Sequence, residues 1–199
     1  MYTLKKTALD TKAMVKISVL AVVGMVLMFF DLSVWFAPSF LKLDISDLPA
    51  LIGAFAMGPM EGVLVQLVKN LLSLFIEGTM TGGVGELSNF LVGSVLVFIS
   101  GTIYHRKKTF KNAIIGMIFG VLAMAGFASL SNYFVVFPLY SKFMPLDKII
   151  EAASLVNRFV VDYKTLILYA VVPFNLLKGT VVSLVTILLY KRISPILKK

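Results

Sequence analysis

Six hydrophobic runs succeed one another along this chain, at residues 15–36, 48–57, 61–76, 86–104, 112–137 and 165–190, with polar connections between them. A helix needs about 20 apolar residues to cross a hydrocarbon layer, so 199 residues hold roughly six passes and leave no room for a second domain. Water could not cover this much apolar surface: 59% of the chain is hydrophobic and only 15% charged, with a mean hydropathy of +0.94. The expected fold is an all-α membrane protein with six transmembrane helices, a single integral-membrane domain over residues 1–199. The first run lacks a small-residue cleavage site and is followed by five more, so it reads as a retained span. The second is too short to span alone. It either tilts inside protein or continues past Gly58-Pro59.

The 19 basic residues fix an orientation. Lys5, Lys6, Lys12 and Lys16 precede or open the first run, Arg106, Lys107, Lys108 and Lys111 follow the fourth, and Lys191, Arg192, Lys198 and Lys199 end the chain. The alternate connections hold only Lys42, Lys142, Lys148, Arg158 and Lys164. Short loops rich in Lys and Arg stay cytoplasmic, which places both termini inside. The net charge of +9 therefore reports topology, not affinity for nucleic acid.

Several chemistries are excluded. There are no cysteines, and no GxxxxGK[ST] loop with which to drive transport by ATP. His105, the one histidine, sits among cytoplasmic basic residues, where it is expected to be solvated and offers no metal site. Ser73, Ser94 and Ser131 lack a histidine partner, and in apolar helices such serines bond backbone carbonyls or permit close packing. The chain is not expected to be an enzyme, and no cofactor is called for.

What remains is a set of polar groups in or beside apolar segments, where they are expensive and functional by default. Residues 41–89 hold most of them: Glu61, Gln66, Lys69, Asn70, Glu77, Glu86 and Asn89. Lys69 is expected to snorkel to the surface, and Asp47 to cap the second helix, with Pro49 tolerated in its first turn. In the sixth run Asn175 and Lys178 share a helical face, beside a bend expected at Pro173. The ammonium of Lys178 needs either a salt-bridge partner, such as Glu86 or Asp31, or a ligand carbonyl. Asn132 in the fifth run faces the same choice between an interhelical bond and a ligand. Trp35 reads as an interfacial anchor. Asp44 is either solvated or part of a lid folded over a ligand. A mostly apolar wall with amides and one ammonium suits a flat, uncharged, polar-edged solute.

The run Leu41-Lys42-Leu43-Asp44-Ile45-Ser46-Asp47-Leu48-Pro49-Ala50, then Gly58-Pro59 with Glu61-Gly62, Lys69-Asn70, Gly78-Thr79-Met80-Thr81-Gly82 and Asn89-Phe90 with Gly93, resembles one family. It is similar to the riboflavin-specific substrate-binding subunits (S components) of energy-coupling factor (ECF) transporters. The likeness is densest over residues 41–93. It implies a multi-pass protein of a prokaryotic plasma membrane that binds riboflavin from outside. The partners implied are a transmembrane coupling subunit and two ATPase subunits, which explains the missing phosphate loop. By the same resemblance Asn132, Asn175 and Lys178 meet the flavin ring, with Leu43, Asp44, Thr79 and Asn89 as further ligand contacts. Docking falls to small residues of the first helix, Ala21 and Gly24. The competing expectations are an S component for thiamin, biotin or pantothenate, and a membrane adaptor that transports nothing.

Overall fold

A computed structural model describes residues 10–79 and 81–197, with side chains to residue 189. Met80, Lys5, Lys6, Lys198 and Lys199, and the side chains of Lys191 and Arg192, lie outside the described residues. Five helices among those described are long and apolar enough to cross a membrane: Thr11–Met28, Pro59–Glu77, Val84–Arg106, Phe110–Tyr140 and Tyr163–Leu189. The chain is therefore a helical membrane protein.

Helix α1 (Thr11–Met28) stops earlier than its apolar run, and residues 29–47 form a long connection. Within it β1 (Leu32–Ser33) pairs antiparallel with β2 (Lys42–Leu43). The second run forms α2 (Leu48–Ala56), nine residues long and mostly buried inside the protein. Asp47 does not cap it, because its carboxylate is engaged elsewhere. Pro59 opens α3 (Pro59–Glu77), and α4 (Val84–Arg106) follows a glycine-rich turn. Helix α5 (Phe110–Ser131) widens into a π segment, Asn132–Val136, before α6 (Phe137–Tyr140). A short helix, α7 (Leu146–Ser154), lies in the connection that follows. The last span repeats the π device: α8 (Tyr163–Leu166), a π segment Ile167–Val171, then α9 (Val172–Leu197).

Both π segments end two residues before a proline, Pro138 or Pro173. A helical proline lacks an N–H and its ring collides with the carbonyl four residues back. Widening the preceding turn relieves that collision. The carbonyl freed by Pro173, that of Tyr169, accepts a hydrogen bond from Asn157 Nδ2 at 3.0 Å instead.

Close packing in the centre depends on small residues. A Cβ on Gly62 would lie 2.5 Å from Val97 Cγ1 and 2.6 Å from Ala54 Cβ, so α2, α3 and α4 meet there with no space to spare. Ser100 Oγ donates to the Gly116 carbonyl at 3.1 Å, tying α4 to α5. His105 is not simply solvated: its Nε2 bonds the Ala54 carbonyl at 3.0 Å, so the end of α2 reaches the end of α4. Ala21 and Gly24, expected on a docking face, are buried instead. A Cβ on Gly24 would meet the Lys69 side chain at 3.0 Å and the Ser46 carbonyl at 3.1 Å. The exposed face of α1 carries Val15, Val19, Val22, Val23 and Val26.

Candidate functional site

Where α1, α3 and α5 finish and α4 and α9 begin, the helices surround a cavity of about 260 Å³. That lies close to the lower edge of small-molecule sites, roughly 300–1,000 Å³. Five of the ligand contacts expected from the sequence line it together: Asp44, Asn89, Asn132, Asn175 and Lys178. They come from the 29–47 connection, α4, the first π segment and α9, so no local pattern assembles them.

Each asparagine next to a π turn is anchored to its own helix. Asn132 Nδ2 donates to the Ala128 carbonyl and Asn175 Nδ2 to the Val171 carbonyl, both at 2.8 Å. That leaves the Oδ1 and second amide proton of each to serve a ligand. Tyr163 secures the first π segment, its hydroxyl engaging the carbonyls of Asn132 (3.1 Å) and Tyr133. Phe40, Phe137 and Tyr140 supply aromatic wall, Phe40 meeting Phe137 edge-on with centroids 6.0 Å apart.

Lys178 is buried and pairs neither with Glu86 nor with Asp31. Its Nζ donates to Asp44 Oδ2 at 2.9 Å and to Asn89 Oδ1 at 3.4 Å, with Asp47 Oδ2 standing 3.9 Å away. Asp31 is taken by Lys42, at 2.7 Å. Asp44 is accordingly buried, accepting also the backbone N–H of Ser46 at 2.8 Å.

Beneath lies a second ion pair that sequence reasoning misassigned. Lys69 does not snorkel: it is 0% exposed and donates to Asp47 Oδ1 at 2.7 Å and Ser46 Oγ at 3.0 Å. Gln66 Nε2 reaches the same Asp47 oxygen at 2.8 Å. The sequence signal was present, since Gln66 and Lys69 are three apart on one face of α3. Their partner, nineteen or more residues upstream in a polar loop, could not be chosen without the fold.

Two expected contacts lie outside the cavity lining. Leu43 packs beside the small apolar cluster of Val34, Ala37 and Phe174. Thr79 organises the α3–α4 turn, its hydroxyl accepting the N–H groups of Thr81 and Gly83 and donating to Glu86 Oε2 at 3.2 Å. Among the described residues no group of His, Cys, Asp and Glu forms a metal site.

The model of the family described as "ECF transporter, substrate-specific component" matches residues 12–190. The riboflavin transporter RibU of Staphylococcus aureus (strain TCH60) is 37% identical over 190 residues, 96% of this chain and 94% of that protein. The riboflavin transporter FmnP of Bacillus subtilis (strain 168) is 29% identical over 188 residues, 94% of each chain. A solved structure, described as "Structure and mechanism of the S component of a bacterial ECF transporter", superposes with a TM-score of 0.75 at 34% identity. It spans 94% of this chain and 98% of its own. With most of its length matched in sequence and in fold, the chain belongs to the substrate-specific components of ECF transporters.

Proposed function

We propose that this protein binds riboflavin from outside a prokaryotic cell and delivers it through an ATP-driven partner complex. The observation that carries this reading is the convergence of Asn132, Asn175 and Lys178 on one cavity, in a chain whose relatives are named riboflavin transporters. The pyrimidine edge of a flavin alternates carbonyl acceptors with an imide donor. Two amides and an ammonium match that alternation, and the aromatic wall of Phe40, Phe137 and Tyr140 suits a flat ring. Riboflavin is neutral, so it leaves the Lys178–Asp44 pair in place. Asp44 and Asn89 then serve the ribityl hydroxyls, and Leu43 and Thr79 support the two loops around them.

The proposed topology is six passes in one domain, residues 1–199, with both termini cytoplasmic in the plasma membrane. The descent of residues 41–56 to the far end of α4 forms the short second pass. The partners are a transmembrane coupling subunit and two ATPase subunits. Docking uses α1 through its outward valine face. Ala21 and Gly24 act behind that face, by letting α1 approach Lys69.

The test is a riboflavin titration of purified protein in detergent, read by quenching of flavin fluorescence. Saturable one-to-one quenching, weakened at least tenfold by Lys178→Ala or Asn175→Ala in folded protein, is expected. A folded, ligand-stripped protein that quenches nothing refutes the riboflavin reading.

A further inference from the structure

The cavity is lined by six side chains that are charged at pH 7: Asp31, Lys42, Asp44, Glu77, Glu86 and Lys178. Both lysines are already neutralised, Lys42 by Asp31 at 2.7 Å and Lys178 by Asp44 at 2.9 Å. The deeper Asp47 and Lys69 cancel each other as well. Two carboxylates are left over. Neither Glu77 nor Glu86 has a basic partner within ion-pairing distance among the described residues. Their partners are hydroxyls, Ser73 Oγ to Glu77 Oε1 at 3.1 Å and Thr79 Oγ1 to Glu86 Oε2 at 3.2 Å.

We infer that Glu77 and Glu86 are specificity determinants, which make the cavity bind a flavin carrying a phosphate on its ribityl tail more weakly than the uncharged vitamin. This deepens the riboflavin reading and rests on it. If the ring edge meets Asn132, Asn175 and Lys178, the tail runs towards the ends of α3 and α4, where Glu77 and Glu86 stand. A phosphomonoester brings roughly −1.5 to −2 charge at pH 7. Helix N-termini ordinarily welcome such groups, and α4 begins at this mouth. Glu86 sits in its first turn and supplies the negative charge there itself. The other attractions for an anion among the described lining residues are Lys42 and Lys178, and a phosphate would have to displace Asp31 or Asp44 from them. The neutral vitamin faces neither obstacle.

The experiment compares dissociation constants for riboflavin and flavin mononucleotide, by fluorescence quenching, in wild type, Glu86→Gln and the double variant Glu77→Gln/Glu86→Gln. Two unit charges roughly 8 Å from a phosphate, well inside the Debye length of ~30 Å at about 0.01 M salt, give a discrimination of roughly tenfold. Mononucleotide is therefore expected to bind the wild type about tenfold more weakly than riboflavin. The ratio is expected to shrink several-fold in the double variant, and likewise in wild type at about 0.5 M salt, where screening is strong. The salt series decides the matter if the double variant does not fold. Equal affinities in wild type, or a ratio unmoved by both substitution and salt, would overturn the inference while leaving the riboflavin reading intact. Absence of quenching by riboflavin itself would remove that reading, and this one with it.

Discussion

Replacing Asp47 should cost more than replacing Lys69, although the two residues share one salt bridge. Both side chains are 0% exposed and their charged atoms are 2.7 Å apart. Removing one partner of a buried pair leaves an uncompensated charge and typically costs about 3–5 kcal/mol. The structure makes the two removals unequal. In Lys69→Met, Asp47 keeps the Gln66 amide at 2.8 Å and has the Lys178 ammonium 3.9 Å away. In Asp47→Asn, Lys69 keeps only neutral groups, the Ser46 hydroxyl at 3.0 Å and the new amide. Asp47→Asn is therefore expected at about 3–5 kcal/mol, and Lys69→Met lower by about 1.5–3 kcal/mol, the worth of one charged hydrogen bond. The double variant should lie below the sum of the two singles, since it buries no orphan charge. Unfolding in detergent by a denaturing surfactant, followed by far-UV circular dichroism, measures all three. Equal costs for the two singles would refute the assignment of Lys178 as the reserve counterion, and a strictly additive double variant would refute the coupling of Asp47 to Lys69.

Three further outcomes follow from local geometry. Gly62→Val should destabilise by about 1–3 kcal/mol or prevent folding, the usual cost of overpacking, because even a Cβ there meets Val97 at 2.5 Å; a thermal scan in detergent checks it. Pro173→Ala restores an N–H and removes the reason for the π turn, so Asn175 should swing from the cavity. Riboflavin affinity should then fall about tenfold, the value of roughly one hydrogen bond near 1.4 kcal/mol, without loss of helicity. The Asp162 carboxyl is held below the usual carboxylate range, first by the Thr165 backbone N–H and then by its hydroxyl. The group is charged in the folded state over a wider range than in the unfolded one, so its contribution is complete at neutral pH and fades as pH falls through the depressed value. Amide exchange at residues 163–166 should quicken over that acidic window relative to the intrinsic rate, and Asp162→Asn should flatten the effect.

The spans were legible because lipid imposes one rule, about 20 apolar residues per pass, and α3, α4, α5 and α9 obey it. Their polar members were legible as exceptions to that rule, which is how Asn132, Asn175, Lys178 and Asn89 stood out. The partners of those residues were not. Lys178 meets Asp44 across 134 positions, and Lys69 meets Asp47 across 22; periodicity carries nothing over such distances. Asp47 followed by Leu48-Pro49 satisfies every local rule for a helix cap, yet two lysine-bearing helices outbid the backbone for its carboxylate. That Ala21 and Gly24 lie inside the bundle was hidden for a related reason. Small residues permit close approach, but their spacing does not say whether the neighbour lies inside the bundle or outside it.

The short second helix explains why there is a cavity at all. Nine residues at 1.5 Å rise give α2 a length of about 14 Å, under half of the roughly 30 Å a span must cross. Its lower end is pinned beside His105, near the end of α4. Its upper end must therefore stop near the middle of the bundle, and Asp47 does lie beside Gly93, where an added Cβ would come within 3.0 Å of its carboxylate. A full-length helix would fill the remaining half with apolar side chains and leave Lys69 and Lys178 without counterions. Ending it early admits the polar segment 44–47 to mid-depth, where its two carboxylates neutralise both lysines. The space above, bounded by α1, α3, α4, α5 and α9, is what the absent half of that pass would have occupied. Charge pairing and cavity thus have one cause, the length of α2.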